Sequence, residues 1–453
     1  MLISRKQRNI ISFALFIIVF FLVNIGIDFA LKPYDGMSAR IWDAFYEESN
    51  VDMIYFGSSI GNRAYDPETV DAITGLKSFN LSSNDQPIVA SYWGIKKVLN
   101  DRPIRFVILN LDYSNIGSYE NNNAKVSYMQ ALSQYESLWH RISDYIMLAR
   151  DCGLKEKESI NVFFPWIYNH VSLNRRAIID NIHKKIDYSY ASTHEGNADF
   201  LARGHIEPKN VEYKSINLDK DIRTNSKNHY KIKDSHMAIS SKAYQTFEDI
   251  INLCQREHVK LIVTFAPRPA FDSLSLGNDY FHINSELRDF FASYGIPFYD
   301  FNMLKKDFWT NSDRYYYDFE HLNQYGSGSF SAAFARFFNK LQAGEDVSSL
   351  IYTKEEYLTS IDYIAGVLFN TRKGRDKIFV HALSYHGLYI KPEYEIQVYD
   401  EQTGDLISTR GYGADTDYSF APAHKGAYRI RVNARQVGSE IPYERYCEKK
   451  VAF

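Results

Sequence analysis

Met53-Ile54-Tyr55-Phe56-Gly57-Ser58-Ser59-Ile60 is the stretch on which the fold turns. Four apolar, strand-forming residues run into a glycine, and two serines then lead to a point where a helix can begin. A strand that ends in a tight turn and hands over to a helix opens a β-α-β unit. Outward from it, residues 78–81 read as a second short strand. Residues 105–111 (RFVILNL) read as a third, apolar nearly throughout as buried parallel strands are. Between them, residues 86–100 have helical spacing, with Ile88, Tyr92, Ile95 and Leu99 on one side. The alternation returns later with a helix over about 241–258, a strand at 260–265 (KLIVTF) and a helix at 285–294. A short strand at 297–300 and a closing helix over about 328–342 complete it. This order predicts an α/β domain whose parallel sheet carries helices on both faces.

Two regions break the pattern. Residues 115–235 are irregular, with one helical stretch at 135–152 and a polar passage rich in Asn and Lys. They read as an insertion on the loop side of the sheet. Beyond Asp346 come IDYIAGVLFN, KIFVHALS, YEIQVYD, DLISTRG and AYRIRVNA, separated by breaks at Gly374, Gly404 and Gly426. Short strands with little helix between them predict a small β-sandwich over residues 346–453.

The second informative stretch is Asp318-Phe319-Glu320-His321-Leu322-Asn323-Gln324-Tyr325-Gly326, just before the closing helix. A serine hydroxyl becomes a useful nucleophile when a base takes its proton and a carboxylate orients that base. Ser59 follows a parallel strand, where open α/β sheets place their sites. Asp318 and His321, three residues apart on one loop, can supply orienter and base. Ser59, His321 and Asp318 are therefore the expected nucleophile, base and orienter of an acyl-transfer site. Other readings stand beside this one: Ser59 as a helix cap, Ser58 as the nucleophile, and His321 as a surface loop residue. His205, His258 and His282 read as structural. Arg268, in Ala266-Pro267-Arg268-Pro269, either reaches the mouth of the site or is a solvated surface arginine, and the second is the simpler reading.

Together these blocks resemble those of the SGNH/GDSL hydrolase superfamily. Gly57-Ser58-Ser59 is similar to the family's G-D-S block, with Ser58 in the Asp position and Ser59 as nucleophile. Asp318-x-x-His321-Leu-Asn is similar to its closing D-x-x-H block. The resemblance covers residues 51–342 apart from the insertion. It implies a flavodoxin-like three-layer α/β sandwich and serine esterase or O-acyltransferase chemistry, with no metal and no cofactor. It also implies an oxyanion hole made by the nucleophile's own N–H, a glycine after the second strand and an asparagine after the third. The chain departs from the family here. The segment Phe79-Asn80-Leu81-Ser82-Ser83-Asn84-Asp85 has no glycine, and Asn84 falls near its place. After the third strand stands Asn110-Leu111-Asp112-Tyr113-Ser114-Asn115 in place of G-x-N-D, with Asn115 as the candidate donor. Both asparagines also read as ordinary turn residues. Anchored members of the superfamily modify cell-surface polysaccharides, some beside a multi-pass membrane acyltransferase. The implied function is O-acetyl transfer to, or removal from, an exopolysaccharide or cell-wall polymer. The departures keep open a glycan-binding or assembly protein without turnover.

Upstream, Arg5, Lys6 and Arg8 precede the uncharged run Asn9–Ile27, NIISFALFIIVFFLVNIGI. About twenty apolar residues in a helix span a bilayer core, whereas a cleaved signal usually has a shorter apolar run and a small-residue site. The reading is an uncleaved single-pass anchor in the cell membrane, and the basic cluster places the N-terminus in the cytoplasm. The expected organisation is a cytoplasmic tip and anchor (1–32), an extracytoplasmic α/β domain (33–345) and the β domain (346–453). A net charge of −3 over 453 residues argues against a nucleic-acid partner. Aromatic residues make up 15%, with 35 Tyr and 30 Phe, which suits either ring-rich cores or a sugar-binding groove. Three separated cysteines, Cys152, Cys254 and Cys447, give no disulfide framework, and no phosphate loop, H-E-x-x-H or EF-hand pattern occurs.

Overall fold

The N-terminal apolar run forms one helix, α1 (Arg5–Leu31), none of whose residues is buried in protein. Ser4 and Gln7 close a reciprocal capping box at its start. It is long and apolar enough to cross a membrane, a length and composition that a signal sequence shares. The computed structural model describes residues 4–33, 37–84, 86–116, 164–167, 170–186, 199–200, 202–207 and 239–453. The expected helix at 135–152, Cys152 and most of the insertion lie outside the described residues.

Five parallel strands make the central sheet: β1 (Met53–Phe56), β2 (Ser78–Asn80), β3 (Phe106–Leu111), β4 (Lys260–Phe265) and β5 (Phe298–Asp300). Their order is β2-β1-β3-β4-β5. The chain starts in the middle and winds both ways, so the order reverses between β1 and β3 and a crevice opens at their carboxyl ends.

Strand residues alternate between two cores. Ile54, Phe56, Val107, Leu109 and Val263 face one, and Met53, Tyr55, Phe106, Ile108 and Ile262 the other. In chain order the helices after α1 are α2 (Met37–Glu47), α3 (Ser59–Ala64), α4 (Pro67–Thr74), α5 (Ile88–Asp101) and α6 (Tyr113–Ile116). Then follow α7 (Arg175–Ile186), α8 (Ser241–Arg256), α9 (Ala270–Leu276), α10 (Asn278–Ser293), α11 (Gln324–Gln342) and α12 (Lys354–Ser360). Helices α2, α5, α8 and α10 cover the first core, and α3, α4 and α11 the second. The result is three layers, helix on sheet on helix.

Many of the aromatic residues go into these cores. Tyr55 and Tyr65 stack with centroids 4.9 Å apart, Phe334 meets Tyr65 edge-on at 4.9 Å, and Phe301 meets Phe330 at 5.4 Å. Trp42, Trp93 and Trp309 are buried as well. Cys254 and Cys447 lie in separate cores and do not bridge each other.

Two helix starts differ from the periodicity, for local reasons. Helix α10 begins at Asn278, because Gly277 (φ 58°) breaks the chain between α9 and α10. Helix α11 begins at Gln324, because the Asn323 side chain accepts from the Gly326 N–H at 3.0 Å and caps it. Gly326 belongs inside that first turn: a Cβ there would sit 2.2 Å from the Tyr315 carbonyl oxygen. Two glycines near the start masked the helical pattern.

Beyond the sheet, Val347 and Tyr357 still pack into the two α/β cores, and antiparallel strands begin only at Ile364. Strands β6 (Ile364–Lys373), β7 (Ile378–His386), β8 (Pro392–Asp400), β9 (Leu406–Gly413), β10 (Asp417–Phe420), β11 (Ala427–Gln436) and β12 (Arg445–Ala452) make two sheets. Their orders are β10-β7-β6 and β9-β8-β11-β12. One buried cluster fills the space between them, with Val367, Phe369 and Val380 from the first sheet against Ile396, Ile430 and Cys447 from the second.

Phe334 touches the rings of Tyr55, Tyr65 and Phe301 at the centre of the second core. Replacing it with Ala leaves a cavity, with an expected loss of about 3–5 kcal/mol. Chemical denaturation of the detergent-solubilised chain measures it, and a loss under about 1 kcal/mol would contradict this packing.

Candidate active site

The carboxyl ends of β1 and β3 come unusually close. A Cβ on Gly57 would lie 2.7 Å from the Asn110 carbonyl oxygen and 2.9 Å from the Asn110 Cβ, so only glycine fits there. The next residue starts α3. Ser58 is its N-cap, accepting from the Ile60 N–H at 3.3 Å, and its own hydroxyl donates to the Asp112 carboxylate beyond β3. Both Ser58 and Asp112 are buried. Capping is thus done by Ser58, and Ser59 is left with a different task.

Ser59 Oγ lies 2.8 Å from His321 Nε2, across 262 residues of chain. His321 Nδ1 lies 2.8 Å from Asp318 Oδ2. The other carboxylate oxygen, Oδ1, accepts the backbone N–H groups of Glu320 at 2.9 Å and His321 at 2.7 Å. Asp318 therefore fixes its own loop and the imidazole together. The loop is closed further by the Tyr317 N–H donating to the His321 carbonyl at 3.1 Å. Tyr317 also stacks on the imidazole, with centroids 5.5 Å apart and planes 13° from parallel.

An ionised Asp318 can only accept, so His321 Nδ1 carries the proton and Nε2 is free to accept from the Ser59 hydroxyl. Burial alone would raise the Asp318 carboxyl. The hydrogen bond and charge of His321, with the two backbone N–H groups, outweigh burial and hold it below its ordinary range.

Glu320, inside the same loop, was not singled out by sequence reasoning. One carboxylate oxygen is 3.9 Å from His321 Nε2, and the other is 2.7 Å from Arg268 Nη2. Arg268 also bonds Asp272 at 2.8 Å. It is buried and clamped between two carboxylates, which corrects the expectation of a solvated surface arginine. Position after a strand suggested the mouth of the site, but the two carboxylates that draw the side chain inward come from other elements.

The expected oxyanion donors follow β2 and β3 in the chain. Asn84 sits exposed in the turn after β2, and Asn115 lies in α6 with its side chain outside the described residues. Two backbone amides of the β2 turn are already engaged: Ser82 N–H donates to Asn80 Oδ1 at 3.1 Å and Ser83 N–H to the Gly57 carbonyl at 3.1 Å. Ser59 is the first residue of α3, so its N–H has no intrahelical acceptor. Asn110 is a further polar residue of the strand ends, legible as the one amide inside RFVILNL. Its Oδ1 accepts from the Ala266 N–H at 2.8 Å, while its Nδ2 is buried without a partner. His205, part of the insertion, is buried against α3 and α11, bonded to the Asn62 carbonyl at 2.9 Å and Ser327 Oγ at 3.2 Å. Among the described residues, no group of His, Cys, Asp and Glu has the arrangement of a metal site.

No family model matches the chain, and no curated protein does. Among solved structures, the chain aligns over 67% of its length, and 95% of the other, with a Bacteroides fragilis protein provisionally described as an acylhydrolase, at 11% identity and TM-score 0.30. A Thermotoga neapolitana β-glucosidase 3B aligns over 90% of this chain and 75% of that one, at 9% identity and TM-score 0.13. Likeness at these levels leaves the chemistry to be argued from the site itself.

Two outcomes follow from this geometry. Because Asp318 is held below its ordinary range, its ionised form stabilises the fold above about pH 4, the unfolded value, and that contribution is lost as pH falls through the folded value. The melting-temperature gap between the wild type and Asp318→Asn is expected to be constant from neutral pH to about 5 and to shrink below about 4. A gap that widens on acidification contradicts it. Arg268→Met leaves the half-buried Glu320 and Asp272 without their cation and is expected to destabilise the fold by about 1–3 kcal/mol in denaturant unfolding, and an unchanged midpoint contradicts it.

Proposed function

We propose that this protein is a serine-dependent acyl-transfer enzyme with an SGNH-type site, acting on ester-linked acyl groups of a glycan outside the cytoplasm. The observation that carries the reading is the unbroken run Ser59–His321–Asp318, two contacts of 2.8 Å in the order nucleophile, base and orienter. In this mechanism Ser59 Oγ attacks the ester carbonyl carbon as its proton passes to His321 Nε2. The tetrahedral intermediate collapses, the leaving alcohol takes that proton, and an acyl-Ser59 ester remains. A second hydroxyl then repeats the sequence in reverse. A sugar hydroxyl makes the protein an O-acyltransferase, and water makes it an esterase. The Ser59 N–H at the start of α3 suits one oxyanion donor, and Asn84 and Asn115 are the proposed others. Helix α1 serves as the anchor in this reading, with the basic tip cytoplasmic and the α/β and β domains facing a polysaccharide or cell-wall polymer. A multi-pass membrane acyltransferase is the proposed donor partner.

The second reading, a glycan-binding or assembly protein without turnover, is favoured by one observation. The engaged Ser82 and Ser83 amides leave the β2 turn poorly placed to hold an oxyanion.

A fluorophosphonate probe separates the two. The full chain is expected to be labelled, with labelling lost in Ser59→Ala and kept in Ser58→Ala. His321→Ala is expected to lower any acyl-ester turnover by about a thousandfold or more while the melting transition stays in place. Equal labelling of the wild type and Ser59→Ala, or none of either, sinks the enzyme reading.

A further inference from the structure

The insertion returns to α1. The Phe164 ring meets the Phe20 ring edge-on at 5.9 Å, and a short 3-10 turn, Pro165–Ile167, lies beside it. Phe20 is eleven residues before the end of α1 at Leu31, about 16 Å along a helix that rises 1.5 Å per residue. The chain then climbs back to that end. The Val171 N–H donates to the Leu31 carbonyl at 2.8 Å. Helix α7 closes over it: Asn181 Nδ2 donates to the Ala30 carbonyl at 2.9 Å and the Lys32 carbonyl at 3.0 Å, and Lys185 Nζ donates to the Phe29 and Lys32 carbonyls. These are the last carbonyls of α1, which have no intrahelical partners of their own, and a lysine there also suits the negative end of the helix dipole.

The outward side of the segment is unusual for a surface in water. Leu173 is 67% exposed, Ile186 66%, Ile179 38% and Ile167 37%. Helix α7, RRAIIDNIHKKI, carries Arg175, Arg176, Lys184 and Lys185 against a single acidic residue, Asp180. Exposed isoleucines and basic side chains on a short helix are the pattern of an element lying in a headgroup layer.

We propose that Phe164–Ile167 and α7 form a second membrane contact around the exit of α1. In it the aromatic turn lies in the hydrocarbon beside Phe20, and α7 lies in the headgroup layer, with its isoleucines toward the acyl chains and Arg175, Arg176 and Lys184 on lipid phosphates. The occupant of the exposed face is lipid because α7 is joined by hydrogen bonds to the end of a helix with no buried residue, which the same bilayer must surround. This rests on α1 crossing the membrane, as proposed above.

The test uses the full chain, with Cys152 replaced by Ala, in nanodiscs of phosphatidylcholine with phosphatidylglycerol. Bimane is placed on Ile179→Cys or Ile186→Cys, on Phe16→Cys in mid-α1, and on Tyr389→Cys, 72% exposed among the C-terminal strands, as a solvent control. Nitroxide lipids labelled near the headgroup are expected to quench positions 179 and 186 several-fold more than 389, consistent with burial about 5–10 Å into the boundary layer. Changing Arg175, Arg176 and Lys184 together to Gln is expected to reduce that quenching with phosphatidylglycerol present and not with phosphatidylcholine alone. Equal quenching at 179, 186 and 389, with Phe16 quenched by deep-chain nitroxides, overturns the proposal and keeps the anchor. Loss of quenching at Phe16 as well means that the anchor reading itself has failed. Spin labels at 186 that broaden one another without lipid quenching give this face to a second copy of the chain and overturn the proposal.

Discussion

The close approach of β1 and β3 at Gly57 and Asn110 is the constraint on which the rest of the site depends. A side chain at position 57 would meet the Asn110 backbone, so the glycine lets the two strand ends pair to their limit. That pairing brings Asp112 under Ser58, and the bond between them fixes the first turn of α3. Once Ser58 is held as the cap, Ser59 emerges on the first turn of the helix, at the crevice where strand order reverses.

The other half of the site is a self-contained loop. Asp318 satisfies two backbone N–H groups and one imidazole nitrogen with a single carboxylate. Asn323 then ends the loop by capping α11, which packs beside α4 on the same face of the sheet. The imidazole is positioned by covalent neighbours and needs the sheet only to bring Ser59 within reach. Around it lies a charge cluster centred on the buried Arg268, Glu320–Arg268–Asp272, that closes one side of the proposed base. Arg268 holds the Glu320 carboxylate at 2.7 Å beside that loop.

Much of the scaffold was legible because its signals are local. Alternating apolar runs and helical spacings gave β1, β3, β4, α5 and α8 nearly to their ends. The run before Asp28 read as one apolar helix without reference to anything else. Helices α9 and α12 were not read, since each has seven residues, too few for a periodicity to declare itself. The start of α11 was hidden by Gly326, whose presence answers a contact with Tyr315. The buried Arg268 was misread for a related cause: a charged residue looks solvated until both of its counter-charges are known.

Chain chemistry alone determined which groups could do the work. A serine after the first strand, and an aspartate three residues before a histidine, are written in order along the backbone. Spacing within one loop is enough to say that Asp318 can reach His321. What only the tertiary structure decided is which of two adjacent serines faces that histidine, and which is spent on a cap. The physical reason is that Ser58 and Ser59 differ little in sequence but lie at successive positions of a helix start. There, one hydroxyl is claimed by the Ile60 amide and Asp112, and the other is left for a partner 262 residues away.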